Sequence, residues 1–233
     1  MALLIAENLC YTYPNGLRAL DGVSFSIEKT DCIGLVGGNG AGKSTLLFVL
    51  CGLIVPTSGT VTIDGVPLKK ENLALIRSMI GMVFQNPDDQ LFMPTIYDDV
   101  AFGLQNRGYA PEVIDQKVCQ ALRHLNIEHL ADRPPYRLSG GEKRSAAIAT
   151  VLSMDPHLIL FDEPTAFLDP RNKRNFIHLL RSMVAARLIA THDIDLVSRT
   201  CNRILVLKNG ILLADDAPAS VFSNERLMEQ AEL

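Results

Sequence analysis

Residues Gly37-Gly38-Asn39-Gly40-Ala41-Gly42-Lys43-Ser44 stand directly after the apolar run Cys32–Val36 and directly before Thr45–Leu53. Their form is G-x-x-x-x-G-K-[ST], in which glycines let consecutive backbone N–H groups curve around phosphate oxygens without side-chain clashes. The run before reads as a strand, and the run after as a helix stopped by Gly52 and Pro56. That helix points its N-terminus at the same charge. Lys43 is expected to reach the β and γ phosphates of a nucleotide and Ser44 a magnesium ion, with Gly37 through Thr45 as the cradle.

Working outward, Ala2–Glu7 and Val23–Ile27 read as short strands separated by a turn at Pro14, Asn15 and Gly16. Thr60–Ile63 is a strand followed by an Asp64-Gly65 turn, and Gly81–Phe84 is another that ends at Gln85. From Tyr97 to about Val151 the pattern is mainly helical, punctuated by Pro111, Pro134 and Pro135. Leu158–Phe161 then resumes a buried strand, so the helical stretch reads as an insertion. Leu188–Ala190, Ile204–Leu207 and Ile211–Ala214 supply further strands, and Ala219–Glu232 is short and helical. Alternating strands and helices predict an α/β core with helices on both faces. The expected division is one domain, 1–233, in which 1–95 and 152–233 form the core and 96–151 the helical part.

Leu158-Ile159-Leu160-Phe161-Asp162-Glu163 is the second anchor. An apolar strand that ends in a carboxylate places an acid beside the phosphates, so Asp162 is expected to serve magnesium directly or through its water. Glu163, one residue on, can polarise the attacking water and accept its proton. His192 also follows an apolar strand and can hydrogen-bond a γ phosphate. His124, His129, His157 and His178 give no compact metal-ligand pattern.

Composition excludes several classes. Lys and Arg total 22 against 26 Asp and Glu, a net charge of −4 that argues against a dedicated nucleic-acid binder. Cys10, Cys32, Cys51, Cys119 and Cys201 are scattered, with neither zinc nor redox spacing, and read as thiols of a reducing compartment. The first residues lack the basic start of a signal peptide, and no apolar run reaches the ~18 residues of a membrane span. Membrane association is therefore expected through a partner protein or a surface patch.

Leu138-Ser139-Gly140-Gly141-Glu142 resembles the signature of the ATP-binding-cassette ATPases, with Glu where Gln is commonest. With the phosphate loop, Gln85, Asp162–Glu163 and His192, the resemblance covers essentially the whole chain. It implies a RecA-like core of the phosphate-loop NTPases, an antiparallel β subdomain and an inserted helical subdomain, together with ATP hydrolysis that uses Mg2+. It also implies that Gln85 senses the metal and the water, and that Tyr13, or alternatively Tyr11, stacks on adenine. Cassettes of this family pair head to tail, so Ser139, Gly140 and Gly141 would cap the γ phosphate held by Lys43 of a second subunit, identical or related. Phe167-Leu168-Asp169 resembles the dimer-contact loop, with Phe167 where Ala or Gly is common.

Asn86-Pro87-Asp88-Asp89-Gln90-Leu91-Phe92 and Asp98-Asp99-Val100-Ala101-Phe102-Gly103 resemble the energy-coupling-factor branch, nearest to its cobalt and nickel importers. Glu142-Lys143-Arg144, Ile148–Leu152 and Ala190–Asp193 agree, whereas Ser145, Ala146 and Ala217 depart from it. The branch implies a transmembrane scaffold subunit, a separate membrane capture subunit and a peripheral seat on the cytoplasmic side of the cell inner membrane. Cobalt or nickel is the expected cargo, with a vitamin as the alternative.

Overall fold

Burial alternates along the first strands and is continuous along the later ones, and this contrast separates two sheets. In the computed structural model, which describes residues 2–166 and 168–232, the strands are β1 (Leu4–Thr12), β2 (Arg18–Ile27), β3 (Cys32–Val36), β4 (Ser58–Ile63), β5 (Val66–Pro67), β6 (Ile80–Val83), β7 (Leu158–Asp162), β8 (Ala186–Ala190), β9 (Arg203–Lys208) and β10 (Ile211–Asp216). The α-helices are α1 (Lys43–Leu50), α2 (Leu73–Met79), α3 (Ile96–Asn106), α4 (Pro111–His124), α5 (Gly140–Leu152), α6 (Pro170–Ser182), α7 (Ile194–Thr200), α8 (Pro218–Ser223) and α9 (Glu225–Ala231).

The first sheet has the order β2-β1-β4-β5, antiparallel throughout, with Leu4 opposite both Ile27 and Ile63. Val23, Phe25 and Ile27 are buried while Ser24 is exposed, the pattern of a sheet with one face in the core. The second sheet has the order β10-β9-β3-β8-β7-β6, parallel except for the β10 edge. Every residue of β3, β7 and β8 is buried, because helices cover one face and α1 with the first sheet cover the other.

Alternate residues of each central strand therefore serve two cores. Ile33, Leu35, Leu158, Leu160 and Leu188 pack with Leu46, Leu47 and Leu50 of α1 and with the antiparallel sheet. Val36, Ile159, Phe161 and Ile189 pack with Phe176, Ile177 and Leu180 of α6 and Leu196 and Val197 of α7. A third cluster joins α3 and α4 through Val100, Leu104, Val118 and Leu122. Helix α5 belongs to both neighbours, since Ala146 and Ala149 face the third cluster while Ile148 and Val151 face the second. Burying each of those two larger side chains contributes about 1.5–3 kcal/mol, which ties the helical part to the sheet.

Several sequence-based boundaries shift. β1 runs on to Thr12 past a register shift that includes Asn8, whose φ is 49°. α1 begins at Lys43 and ends at Leu50, short of the expected Leu53, because Gly52 turns left-handed at φ 67°. The short helices α2 and α7, and the strongly amphipathic α6, had no counterpart in the sequence reading. The thiols of Cys32 and Cys201, distant in sequence, lie 3.8 Å apart in the interior.

Candidate functional site

β3, β6, β7 and β8 run parallel, so the segments that follow their C-terminal ends open on one edge of the sheet. This edge is where open α/β sheets hold their ligands. It carries Gly37–Gly42 after β3, Gln85 after β6, Glu163 after β7 and His192 after β8. A cavity of about 360 Å³ lies there, lined by Tyr13, Asn39 through Thr45, Gln85, Asp162, Glu163 and His192. The sequence-predicted residues on these elements are thus brought together, except that Gly37 and Gly38 are not part of the lining.

Gly42 precedes α1 at φ 104°, and a Cβ there would stand 2.4 Å from the Ala19 carbonyl oxygen, so only glycine fits. The first turn of α1 has no side-chain cap, which leaves its N–H groups for an anion. Lys43 is buried, and its ammonium donates to Gly37 O at 2.7 Å and Gly38 O at 3.2 Å. A point cation is thereby held inside the loop. Thr45 shares a 2.9 Å hydrogen bond with the Tyr13 hydroxyl. Tyr11 instead packs against the first core and meets Tyr13 edge-on, so Tyr13 is the ring presented to the cavity.

Ser44 Oγ donates to Asp162 Oδ1 at 3.1 Å. Burial pushes the Asp162 carboxyl above its usual range; the Ser44 hydrogen bond opposes this, the Glu163 charge adds to it, and Lys43 and Arg144 oppose it. A desolvated carboxylate beside a hydroxyl suits a hard divalent cation, and Gln85 lines the same cavity. Among the described residues no group of three or more His, Cys, Asp or Glu side chains could hold a metal alone. That donor set fits magnesium, which takes one or two protein oxygens and completes its shell with phosphate and water.

Glu163 is left-handed at φ 42°, a conformation that costs a non-glycine residue on the order of 1–2 kcal/mol. Three contacts hold the residue in place. Its N–H donates to Ala190 O at 2.8 Å, Thr191 Oγ1 donates to Glu163 Oε2 at 3.1 Å, and His192 Nδ1 lies 3.0 Å from the same oxygen. The carboxylate is nearly buried whereas the histidine is 72% exposed, which leaves the imidazole free to meet a ligand. Thr191, fully buried, also accepts from Asp193 N at 3.0 Å. Sequence reasoning passed over it, although a hydroxyl residue at the end of an apolar strand, one place before the histidine, was the available signal.

Ser139, Gly140 and Gly141 are placed elsewhere. Ser139 caps α5 and forms a reciprocal box with Glu142, whose Oε2 accepts from Ser139 N at 2.8 Å and Ser139 Oγ at 2.7 Å. The Ser139 hydroxyl first, and then its N–H, hold the Glu142 carboxyl below its usual range. Ser139 and Gly141 line a second cleft of about 750 Å³ that shares no lining residue with the first. Gly140 has open space at its Cβ position. Within one chain the structure does not bring this turn to the phosphate loop. Phe167 lies outside the described residues; Leu168 lines the second cleft, and Asp169 caps α6.

Comparison with known proteins agrees with this fold. The sequence profile of the ABC transporter family matches residues 20–166. The energy-coupling factor transporter ATP-binding protein EcfA of Methanosphaera stadtmanae is 42% identical over 99% of this chain and 85% of its own length. The structure of cbiO1 from Clostridium perfringens, part of the ABC transporter complex cbiONQ, superposes with a TM-score of 0.87 at 37% identity, covering 98% of this chain and 94% of that one. The ATP-binding cassette MJ0796, seen as a dimer in a post-hydrolysis state with ADP and Pi, gives a TM-score of 0.83 at 29% identity over 92% of this chain and 98% of its own.

Proposed function

The chain belongs to the ABC transporter family, and from that premise we propose that its cavity hydrolyses ATP to drive import of cobalt or nickel ions. It is an ATP-binding, ATP-hydrolysing subunit of an energy-coupling-factor transporter. The observation that carries the mechanistic reading is the convergence of the phosphate loop, Gln85, Asp162, Glu163 and His192 on one sheet edge.

In this reading Tyr13 stacks on adenine while Lys43 and the Gly37–Thr45 amides hold the phosphates. Ser44, Asp162 and Gln85 hold magnesium, which when bound neutralises charge on the phosphates. Glu163 orients a water and takes its proton as oxygen attacks the γ phosphorus, and ADP leaves with phosphate as the second product. His192, beside Glu163, hydrogen-bonds the γ phosphate. Ser139, Gly140 and Gly141 of a second subunit close the site from the opposite side, in a homodimer or a pair of related chains. The dimeric ADP- and Pi-bound neighbour supports pairing.

No helix among the described residues is long and apolar enough to cross a membrane. We assign the crossing to a transmembrane scaffold and a separate capture subunit, with this chain peripheral on the cytoplasmic face of the cell inner membrane. The scaffold's seat is a cleft of about 250 Å³ lined by Phe92, Phe102, Arg77 and Arg107. Its aromatic pair is exposed, with rings 5.0 Å apart, and Asp99 braces it by accepting from Phe92 N and Met93 N. Cobalt and nickel rest on the resemblance of Asn86–Phe92 and Asp98–Gly103 to the metal importers of the energy-coupling-factor branch. Uptake of either ion by the reconstituted complex supports that cargo, and uptake of a vitamin alone redirects it.

Glu163→Gln tests the chemistry. Turnover should fall on the order of 10²–10⁴-fold while ATP-dependent pairing persists, because the amide keeps the shape but cannot accept a proton. Undiminished turnover in a contaminant-free preparation of the variant overturns the assignment.

A further inference from the structure

β6 ends at Val83, and beyond it the chain has no ladder partner to fix Phe84 and Gln85. Their carbonyls are taken up by a side chain from another element. Arg144, on α5 and almost wholly buried, donates through Nη1 to Phe84 O at 2.6 Å and through Nη2 to Gln85 O. Its Nε is buried with no hydrogen-bond partner among the described residues. Burial holds its pKa below the usual guanidinium value, with Asp162 partly restoring it. A desolvated cation with two carbonyls in its fork and no ion pair among the described residues is suited to fixing backbone position.

The same helix grips the segment further along. Lys143 Nζ meets Asp88 at 2.6 Å, and Gln90 Nε2 donates to Ala147 O and Thr150 Oγ1, both at 2.8 Å. Gln90 Oε1 accepts from Phe84 N at 3.2 Å, which closes the loop back on its start. Residues 143, 147 and 150 are spaced to share one helix face, and Arg144 adjoins it. The first turn of this helix is the Ser139–Gly141 turn.

We infer that Arg144 is a positioning residue for Gln85, locking the Phe84–Gln85 backbone to the helix that begins at Ser139. Gln85 and Ser139 then move as one piece. This rests on the reading that Gln85 serves the phosphate site of its own chain and Ser139 that of the neighbour. Under that reading the latch carries the state of one site to the other through a single helix.

The test is a double-mutant cycle on the full chain with Arg144→Met and Gln85→Ala. Arg144→Met should leave the KM for ATP within about twofold of wild type, because the phosphate loop is untouched. It should lower kcat by about 10- to 100-fold, the scale of a displaced positioning group, and raise the magnesium concentration needed for half activity. The double variant should be no slower than Gln85→Ala alone, since both changes remove one function. Wild-type kcat and magnesium dependence in Arg144→Met, or independent multiplication of the two defects, overturns the inference. If Arg144→Met does not fold, Gln90→Met cuts the same latch from the other end, and the same outcomes apply to it. ATPase activity that Glu163→Gln fails to remove would instead sink the functional reading, and this inference with it.

Discussion

At the residue scale, the acid at the end of β7 is built for a ligand at the expense of the fold. Asp162 is raised above its ordinary pKa by burial, with the Ser44 hydroxyl and the Lys43 and Arg144 charges only partly opposing. A carboxyl raised in the folded state contributes stability only while protonated, below its unfolded pKa, and loses it as pH rises through the folded value. Whenever it is ionised, the side chain therefore opposes folding until a cation joins it. Asp162→Asn should melt higher than wild type in chelator at pH 7, and should lose the further rise that magnesium and ATP give wild type. Its turnover should drop on the order of 10²-fold or more, since a preorganised charge beside the phosphates is gone. Thermal melts with and without magnesium check the first part, and a lower melting point in chelator would contradict it. The placement of Lys43 and Ser44 at the start of a helix, and of Asp162 at the end of an apolar strand, was legible in sequence because a local pattern encodes each element. Thr191 and Arg144 were not, because their partners at Glu163 and Phe84–Gln85 lie 28 or more positions away in the chain.

At the scale of elements, α5 shows which parts of a fold a sequence can announce. Its start at Gly140, the Ser139 cap and the Glu142 box follow the local S-x-x-E signal. Its double allegiance, with Ala149 turned to the helical cluster and Val151 to the sheet, depends on tertiary contacts that no local pattern carries. The same holds for α7, seven residues long and too short to show periodicity, which is fixed by Asp193 accepting from Leu196 N, Thr165 Oγ1 and Lys173 Nζ. The box at α5 also predicts a pH dependence. Glu142 is held below its ordinary pKa by Ser139, so its contribution is present above the unfolded value of about 4.3 and is lost as pH falls through the lower folded value. Glu142→Gln keeps the geometry with an acceptor that does not titrate. Its melting temperature should therefore fall less than that of wild type between pH 7 and pH 3. The difference should be worth at most about 1 kcal/mol at this partly exposed helix end. Parallel acid-induced losses in the two proteins would remove the box from any part in pH stability.

At the scale of the whole molecule, the two clefts share no lining residue, and the proposed pairing is what would join them. On the proposed head-to-tail pairing, a cavity with Lys43, Asp162 and Glu163 but no signature turn would be half of a composite site, and the turn at Ser139 would be the other half. Head-to-tail pairing of two copies joins each half to its complement, and twofold symmetry then makes two sites at once. The consequence is testable by mixing. Lys43→Ala and Ser139→Ala homodimers should each be inactive, since every site in them carries a defect. In a mixed dimer the two defects fall in one composite site, and the other site pairs an intact Lys43 with an intact Ser139. An equal mixture at random exchange is half mixed dimers with one sound site of two, so about a quarter of wild-type sites should return. If the Ser139 turn instead served its own chain, every site in the mixture would still carry one defect and no activity would reappear. Steady-state ATP hydrolysis of the pure variants and of their mixture distinguishes the two arrangements without requiring the membrane partners or the cargo to be known.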